Sequence, residues 1–474
     1  MNGMTLNRRS TAHRENPADR RGISTRIVLG VGIAALVLAA APLWAAPGTD
    51  ADLEVRIAAL EAQLDALKKT VAARSAPAIE STPVQPSATV QADSKGLGIT
   101  GADGNYSFAL NATVHSDGRY FFGEDGASND SFGFRRVRPM LSGKLGERLS
   151  FRITPEFAGT NATLLDAWAD LQVGDNTALR IGQMKSPVSL ERLVSASSMP
   201  FIERTFPTEL AGNRDIGTQL QGTFGAGVGS YAVGLFNGTV DGRNAASTNP
   251  DDNFELAGRL FFEPWRNAGG ALAGLGFGVA GSVGEKTGSG NDFLPRYRSA
   301  AQETVFSYLA STEADGDHER LSPQGYYYAG PFGLLAEYIT SKQELRNSVT
   351  GMTDTLTHEA WQVTASWVLT GEAASYRGPS PMADFGWGVP GAPGAWEVLL
   401  RAASLEIDDA AFPIFADAAK AIEAAATYAL GVNWYLSRNL KASMNYQFTE
   451  FDGGAAADDR ADEELLLSRL QIAF

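Results

Sequence analysis

The sequence of 474 residues contains no cysteine and only four histidines. Without cysteine no disulfide can form, so the stability of the fold has to come from backbone pairing and packing. The histidines follow no metal-ligand spacing; they are His13, His115, His318 and His358. We therefore expect neither a metal site nor a cofactor. The sequence also lacks a Ser/His/Asp or paired-carboxylate arrangement specific enough to indicate an enzyme.

The sequence also has no excess of positive charge; its formal net charge is −15. This acidity argues against a nucleic-acid partner. Long apolar runs are absent except for one near the start, residues 27–43, "IVLGVGIAALVLAAAPL". Arginines precede this run and small residues follow it, which is typical of a secretory signal peptide cleaved near Ala45 or Ala46. We assign residues 1–45 to the signal; the alternative, a membrane anchor, would need about 20 spanning residues.

Residues 46–74 carry a heptad pattern. Apolar residues recur at a 4-3-4-3-4 spacing, which predicts the a/d seam of a coiled coil. The seam consists of Leu53, Ile57, Leu60, Leu64, Leu67 and Val71. At about three heptads the helix is marginal alone and needs self-association or a partner. The alternative is a helix packed on the rest of its own chain. Residues 75–103, rich in Pro, Ala and Ser at their start, are predicted to be an extended linker.

Residues 104–474 contain one alternating segment after another, separated by turn residues, for example "NYSFALNATVHS", "AWQVTASWVL" and "LKASMNYQF". About sixteen strands can be drawn, joined by alternately short and long connections. This pattern predicts an all-β fold, a transmembrane antiparallel β-barrel that closes on itself because lipid tolerates no open sheet edge. A soluble sandwich would need a second apolar layer. The alternating end "LLLSRLQIAF" predicts a last strand that closes the barrel and ends on Phe474.

One connection breaks the short and long alternation. Residues 370–394, "TGEAASYRGPSPMADFGWGVPGAPG", belong on the side of the short turns, yet this segment is long and rich in glycine and proline. They form either an ordered periplasmic flap or a hairpin that the pattern does not reveal.

A barrel of this size leaves an aqueous channel, so a segment has to fold inward to make it selective. The best candidate is the long connection after "ALRIGQM", which begins "KSPVSLERLVSASSMPFIERTFP". It combines apolar residues that need burial with Lys185, Arg192 and Arg204, which suits a loop tucked into the lumen.

The second strand, "SFGFRRVRPMLSGKL", adds positive charge to the lumen. Strand parity places Arg136 and Arg138 on the lumen face, and Arg152 and Arg119 have the same parity on neighbouring strands. Arginine suits anion transit because its fork donates paired hydrogen bonds to phosphate or carboxylate. The alternative is that these arginines pair with lumen acids and only set a transverse field; the acids are Glu156, Asp166 and Asp170.

At these residues the sequence resembles the phosphate-selective porin O and P family of Gram-negative outer membranes. The similar stretches include "FGFRRVRP", "LRIGQMKSP", "SLERLVSASSMPFIERTFP", "NRDIGTQLQG" and "GVNWYLSRNLKASMNYQFTEFDGG". The resemblance implies a homotrimer of sixteen-strand barrels, an inward third loop and a basic lumen. Anion-binding positions that it implies are Arg135 or Arg136, with parity favouring Arg136, together with Arg192, Arg204 and the acid Asp166. The family's long arginine ladder is not traceable here, since the later strands offer few lumen cations: Arg259, Arg401, Lys441 and Arg469.

The sequence therefore predicts an outer-membrane porin for passive diffusion of small anions, with phosphate or diphosphate as the first candidates. Its expected surroundings are outer-membrane lipid, lipopolysaccharide and the barrel assembly machinery, which would recognise Phe474. Two alternatives stay open: a general or carboxylate-preferring porin, and an envelope tether through the coiled coil.

Overall fold

The computed structural model describes residues 50–74, 88–122, 129–456 and 459–474. The chain divides into two compact units, Met1–Pro83 and Val84–Phe474. The predicted signal peptide, residues 1–45, and residues 75–87 of the predicted linker lie outside the described residues. No helix among the described residues combines the length and the apolar character needed to cross a bilayer.

The described part of the first unit is helix α1 (Asp50–Arg74), which covers the segment with the heptad pattern. Three of its seam residues, Leu60, Leu64 and Leu67, are 64%, 54% and 65% exposed. A helix with such a row of leucines in water has an apolar face without a partner. Its pairing into a coiled coil stays a prediction.

The second unit consists of strands with a few short helical turns. The strands are β1 (Thr89–Asp93), β2 (Gly96–Thr100), β3 (Tyr106–Phe122), β4 (Ser131–Leu145), β5 (Leu149–Glu156), β6 (Thr163–Gly174), β7 (Thr177–Lys185), β8 (Arg214–Phe224), β9 (Gly229–Phe236), β10 (Glu255–Phe262), β11 (Leu275–Ser289), β12 (Arg296–Arg298), β13 (Thr304–Ser307), β14 (Thr312–Ala329), β15 (Phe332–Asn347), β16 (Thr353–Val368), β17 (Ala395–Glu406), β18 (Ile422–Tyr435), β19 (Leu440–Gly453) and β20 (Glu463–Ala473). The helical turns are α2 (Leu190–Leu193) and 3₁₀ turns at Ala196–Ser198, Phe206–Thr208, Ala271–Gly274 and Asp409–Ala411.

Sixteen of the described strands form one closed antiparallel barrel. They are β3 to β11 and β14 to β20, each paired with its neighbour in this order. The last strand pairs with the first, with Ala473 opposite Thr113, and Phe474 exchanges backbone hydrogen bonds with Ala112 at 2.9 and 3.1 Å. The predicted barrel of about sixteen strands is confirmed, and the apolar end of the chain is the strand that closes it.

Alternation along each strand separates the lipid face from the lumen. On β15, Phe332 and Leu334 are exposed on the outside, whereas Glu337, Ser341 and Gln343 are buried on the inside. Apolar side chains pointing outward from a closed barrel are expected where the surroundings are hydrocarbon. The period of two in the sequence therefore specifies the barrel wall.

The predicted linker, residues 75–103, needs correction at its end, because strands β1 and β2 form a hairpin there. Strand β2 pairs with β3 from Leu97 opposite Leu110 to Thr100 opposite Ser107. On that edge β20 reaches only Thr113, so the first residues of β3 would otherwise lack a partner. Unpaired strand edges are costly, and the hairpin covers this one. Its strands are too short for periodicity to reveal.

An apolar core lies inside the barrel and is built by loops. The loop that contains β12 and β13 buries Tyr297 and Phe306, which pack with Phe415 from a later loop and with Ile339 from the wall. From the other end, residues 369–394 contain no strand and enter the lumen with Tyr376, whose hydroxyl donates to the Leu190 carbonyl at 2.6 Å. This segment is thus an ordered flap on the side of the short turns.

Candidate functional site

The connection between β7 and β8, residues 186–213 (hereafter the inward loop), lies within the barrel. Its apolar side chains are buried, as their composition predicts; they include Val188, Leu190, Met199, Phe201, Ile202 and Phe206. Outside the barrel these side chains would face water, so burial of apolar surface favours the inward position.

Basic side chains of the later strands hold the inward loop by its backbone. Arg401 donates to the carbonyl of Glu203 at 3.0 Å, and Lys441 donates to that of Met199 at 2.9 Å. Arg469 donates to the carbonyl of Ile202 at 2.8 Å. These three residues, which are among the few cations with lumen parity on the later strands, are therefore loop anchors.

On another part of the wall, Glu337 of β15 caps the start of helix α2. Its carboxylate accepts hydrogen bonds from the hydroxyl of Ser189 at 3.0 Å and from the backbone N–H groups of Leu190 at 2.6 Å and Glu191 at 3.2 Å. Helix N-termini leave such N–H groups without intrahelical partners, and a carboxylate suits them. The loop is thus fastened to the wall by its backbone on several strands.

A β-bulge places both Arg135 and Arg136 in the lumen. In the β3–β4 pairing His115 lies opposite Arg136 and Ser116 lies opposite Phe134, so Arg135 is an extra residue. Before the bulge the even-numbered Phe132 and Phe134 face outward, 79% and 66% exposed; after it, odd-numbered residues such as Leu141 do. A bulge of this kind shifts the alternation by one residue. Strand parity, which favoured Arg136 alone, is therefore corrected, and the switch in apolar parity was the signal for it.

Two cavities of about 810 Å³ and 470 Å³ lie along the lumen. The larger includes Asn176 of a short turn and Thr223 near the end of β8 that leads into another short turn, and the smaller includes residues of the long loops, such as Asn244 and Asn291. Short turns are periplasmic in such barrels and long loops are external. The residues that line both cavities, hereafter the junction, are Arg135, Arg136, Arg192, Arg204 and Asn213.

Of the other site residues that the sequence predicts, four line the larger cavity and Arg119 lines neither cavity. Arg138, Arg152, Asp166 and Lys185 line the larger cavity. Arg119 is not among the residues of either cavity; it donates to the carbonyl of Ala301 at 2.8 Å and to Glu203 at 3.3 Å. The larger cavity is strongly basic, since nine arginines and one lysine line it against a single acid, Asp166.

The lumen acids pair with only some of these arginines. Glu156 binds Arg138, as the alternative reading of the sequence proposes. Asp166 instead binds Arg214 at 3.0 Å, and Asp170 binds Arg180 through two contacts of 2.7 Å. The three acids therefore leave most of the basic wall unneutralised.

Five of the predicted cations have no carboxylate partner at salt-bridge distance within the described part of the chain: Arg136, Arg152, Lys185, Arg192 and Arg204. Arg136 lies 3.1 Å from Nδ1 of His115, and Arg204 donates to the carbonyls of Glu191 and Val194 at 3.1 and 2.8 Å. The Nε atoms of Arg136 and Arg192 are buried without any hydrogen-bond partner in the structure. Buried donors without partners are costly, and they leave the charge of these two guanidinium groups incompletely compensated.

The electrostatics of the inward loop agree with this geometry. Burial and the neighbouring Arg192 lower the pKa of Arg204 to about 9, and burial lowers the pKa of Arg192 to about 10. Both side chains stay cationic at neutral pH. Lowered pKa values of this kind mark positive charge that is desolvated and insufficiently compensated.

Several further basic residues line the site. Arg180 has lumen parity on β7, between the outward Leu179 and Ile181, so alternation could have found it. Arg243, Arg296 and Arg298 line the smaller cavity from external loops. No sequence signal gives the inward direction of those loops, because it depends on packing between segments that are distant in the chain.

A closed sixteen-strand barrel with a loop folded into a basic aqueous lumen defines a porin, a β-barrel channel of the Gram-negative outer membrane. Within that class, the family model "Phosphate-selective porin O and P" matches residues 108–474, and the chain belongs to this family.

The chain is also similar to individual proteins. Porin O of Pseudomonas aeruginosa is 25% identical over 408 residues, which cover 80% of this chain and 91% of that protein. The outer membrane channel DcaP of Acinetobacter baumannii is 12% identical, with a TM-score of 0.50 over 78% of this chain and 98% of that one. An anion-selective porin from Comamonas acidovorans is 15% identical, with a TM-score of 0.46 over 78% and 100%.

Proposed function

We propose that this porin conducts small oxyanions, phosphate or diphosphate first, through the junction, and that it has no enzymatic role. The observation that carries the proposal is that Arg136, Arg192 and Arg204 form no ion pair within the described residues, while the Nε atoms of Arg136 and Arg192 also lack a hydrogen-bond partner there. Guanidinium donors recognise oxyanions through charge-assisted hydrogen bonds. Passage then requires binding strong enough to admit the ion and weak enough to release it.

Phosphate is favoured over a carboxylate by the number of donors at the junction. Arg136, Arg192 and Arg204 approach it from β4 and from two points of the inward loop. A carboxylate has two oxygens to offer, whereas phosphate has four and can engage several guanidinium groups together. Diphosphate offers still more oxygens and fits the same argument.

The test is titration of the chloride current of the purified porin in a planar bilayer, with phosphate, diphosphate, sulfate and acetate in turn. We expect phosphate or diphosphate to reduce the current at concentrations at which acetate does not. If acetate reduced the current as strongly as phosphate, the carboxylate-preferring alternative would be favoured. If no anion reduced the current, the protein would be a general porin.

We propose that the assembly is a homotrimer and that α1 self-associates through its exposed leucines. The alternative is a tether from α1 to peptidoglycan or to a periplasmic partner. Deleting residues 47–87 removes α1 and spares the hairpin of β1 and β2. Because α1 belongs to a separate compact unit, we expect unchanged single-channel conductance. A smaller assembly by light scattering would assign α1 to trimer formation, and loss of envelope attachment would assign it to tethering.

We also propose that the assembly machinery recognises Phe474, and that acyl chains and lipopolysaccharide surround the outward apolar face. Deleting Phe474 removes both a recognition residue and two backbone hydrogen bonds to Ala112. We expect less folded barrel in the outer membrane, measured as heat-modifiable protein on gels, while Phe474→Tyr keeps wild-type yield.

A further inference from the structure

Two carboxylates of the inward loop, Glu203 and Glu209, line the smaller cavity, and Glu203 is the one that forms ion pairs within the described residues. Glu203 is buried and lines the smaller cavity together with Arg135, Arg136, Arg192 and Arg204. An acid in this place repels the ions that the surrounding arginines attract.

The carboxylate of Glu203 holds cations from three different strands. Its two oxygens accept from Arg135 of β4 at 2.6 and 3.1 Å. Arg119 of β3 donates to Oε1 at 3.3 Å, and Arg469 of β20 lies 3.8 Å from the same oxygen. Arg135 is thus the one junction arginine whose guanidinium fork is occupied by a carboxylate. A resident carboxylate fills here the kind of site that a free oxyanion would occupy.

The charge of Glu203 persists at neutral pH. Burial alone would raise its pKa, but Arg135, Arg136 and Arg469 outweigh burial and hold the pKa of this carboxyl well below its usual range. Its backbone is fixed separately, since the carbonyl of Glu203 accepts from Arg401 at 3.0 Å. The loop therefore does not depend on the carboxylate alone for its position.

We propose that Glu203 is a fixed counter-anion that sets how tightly the junction holds a passing oxyanion. By occupying Arg135 and reducing the local positive charge, it weakens binding and lets the ion leave. This inference rests on the proposed function, because it concerns the specificity of the same site.

The decisive variant is Glu203→Gln, studied by phosphate titration of the chloride current. A unit charge a few ångströms from the ion, at an effective dielectric constant between that of a protein surface and that of water, changes affinity by about tenfold. We expect the phosphate concentration for half-block to fall by about that factor and phosphate flux into liposomes to drop. Glu203→Asp, which keeps the charge, should behave like the wild type. Asp170→Asn, which removes a lumen carboxylate away from the junction, should shift the block much less.

The double variant Arg135→Met with Glu203→Gln removes both members of the pair and should keep a near-wild-type block. This double variant tests the proposal if Glu203→Gln alone does not fold. A block weakened tenfold in this double variant would show Arg135 to be a direct ligand and overturn the proposal. An unchanged block in Glu203→Gln, or an equal shift in Asp170→Asn, would overturn it too. Absence of any phosphate block in the wild type would instead reject the proposed function.

Discussion

Replacing Arg136 by alanine should weaken the phosphate block of the chloride current by about ten- to a hundredfold. A hydrogen bond to a charged group contributes about 1.5–3 kcal/mol, and about 1.4 kcal/mol corresponds to a factor of ten in affinity. Arg136 is suited to this test because, within the described residues, its buried Nε atom has no hydrogen-bond partner and its guanidinium group forms no ion pair. Removing one cation from a group of cations should not impair folding, since it relieves repulsion.

The matched control is Arg259→Ala. Arg259 also lines the larger cavity and forms no ion pair in the part of the chain that the structure describes; it donates to Gln324 at 3.0 Å and lies over the ring of Phe261. It does not belong to the junction, so its removal should change the block by much less. Equal losses in the two variants would mean that the overall basic charge, and not the junction, governs anion binding.

Replacing Glu337 by alanine should release the start of the inward loop. Two backbone N–H groups and the hydroxyl of Ser189 would lose their acceptor inside the barrel. Each buried donor left unsatisfied costs about 1–3 kcal/mol, so this part of the loop should leave the wall. We expect a larger single-channel conductance, weaker anion selectivity and a lower unfolding temperature.

Two variants separate loop release from loss of charge. Glu337→Gln keeps a side-chain oxygen as acceptor and should retain most of the wild-type conductance. Glu359→Ala removes a carboxylate from the outer face of the neighbouring strand, where it accepts a hydrogen bond from the hydroxyl of Tyr338 at 2.6 Å, and should leave the channel unchanged. A wild-type conductance in Glu337→Ala would show that the other anchors, such as Arg401 and Lys441, suffice.

The barrel could be predicted from the sequence because its wall repeats every two residues. Alternation on β15, with Leu334 outward and Glu337 inward, is a local property that the order of residues expresses directly. The inward loop could be predicted for another local reason, since its apolar side chains cannot stay in water. The β1–β2 hairpin could not, because it exists to cover an edge of β3 left free by the stagger of β20.

The composition of the site was predictable, but its pairing was not. The sequence indicates Arg136, Arg192 and Arg204, yet it does not tell which arginines are neutralised. The partners are far apart in the chain: Arg469 binds Asp117 across 352 positions, and Arg119 binds Glu203 across 84. Such pairs depend on strand register and on the loop path. The role of Glu203 beside the junction therefore emerges only from the structure.

The most direct test of the central claim is the reversal potential of the purified wild-type channel across a KCl gradient. An unneutralised group of arginines at the junction predicts reversal on the chloride side, close to the value for an anion-selective pore. A reversal near zero, or on the potassium side, would contradict the account, because it would mean that Glu156, Asp166, Asp170 and Glu203 together cancel the positive charge of the lumen.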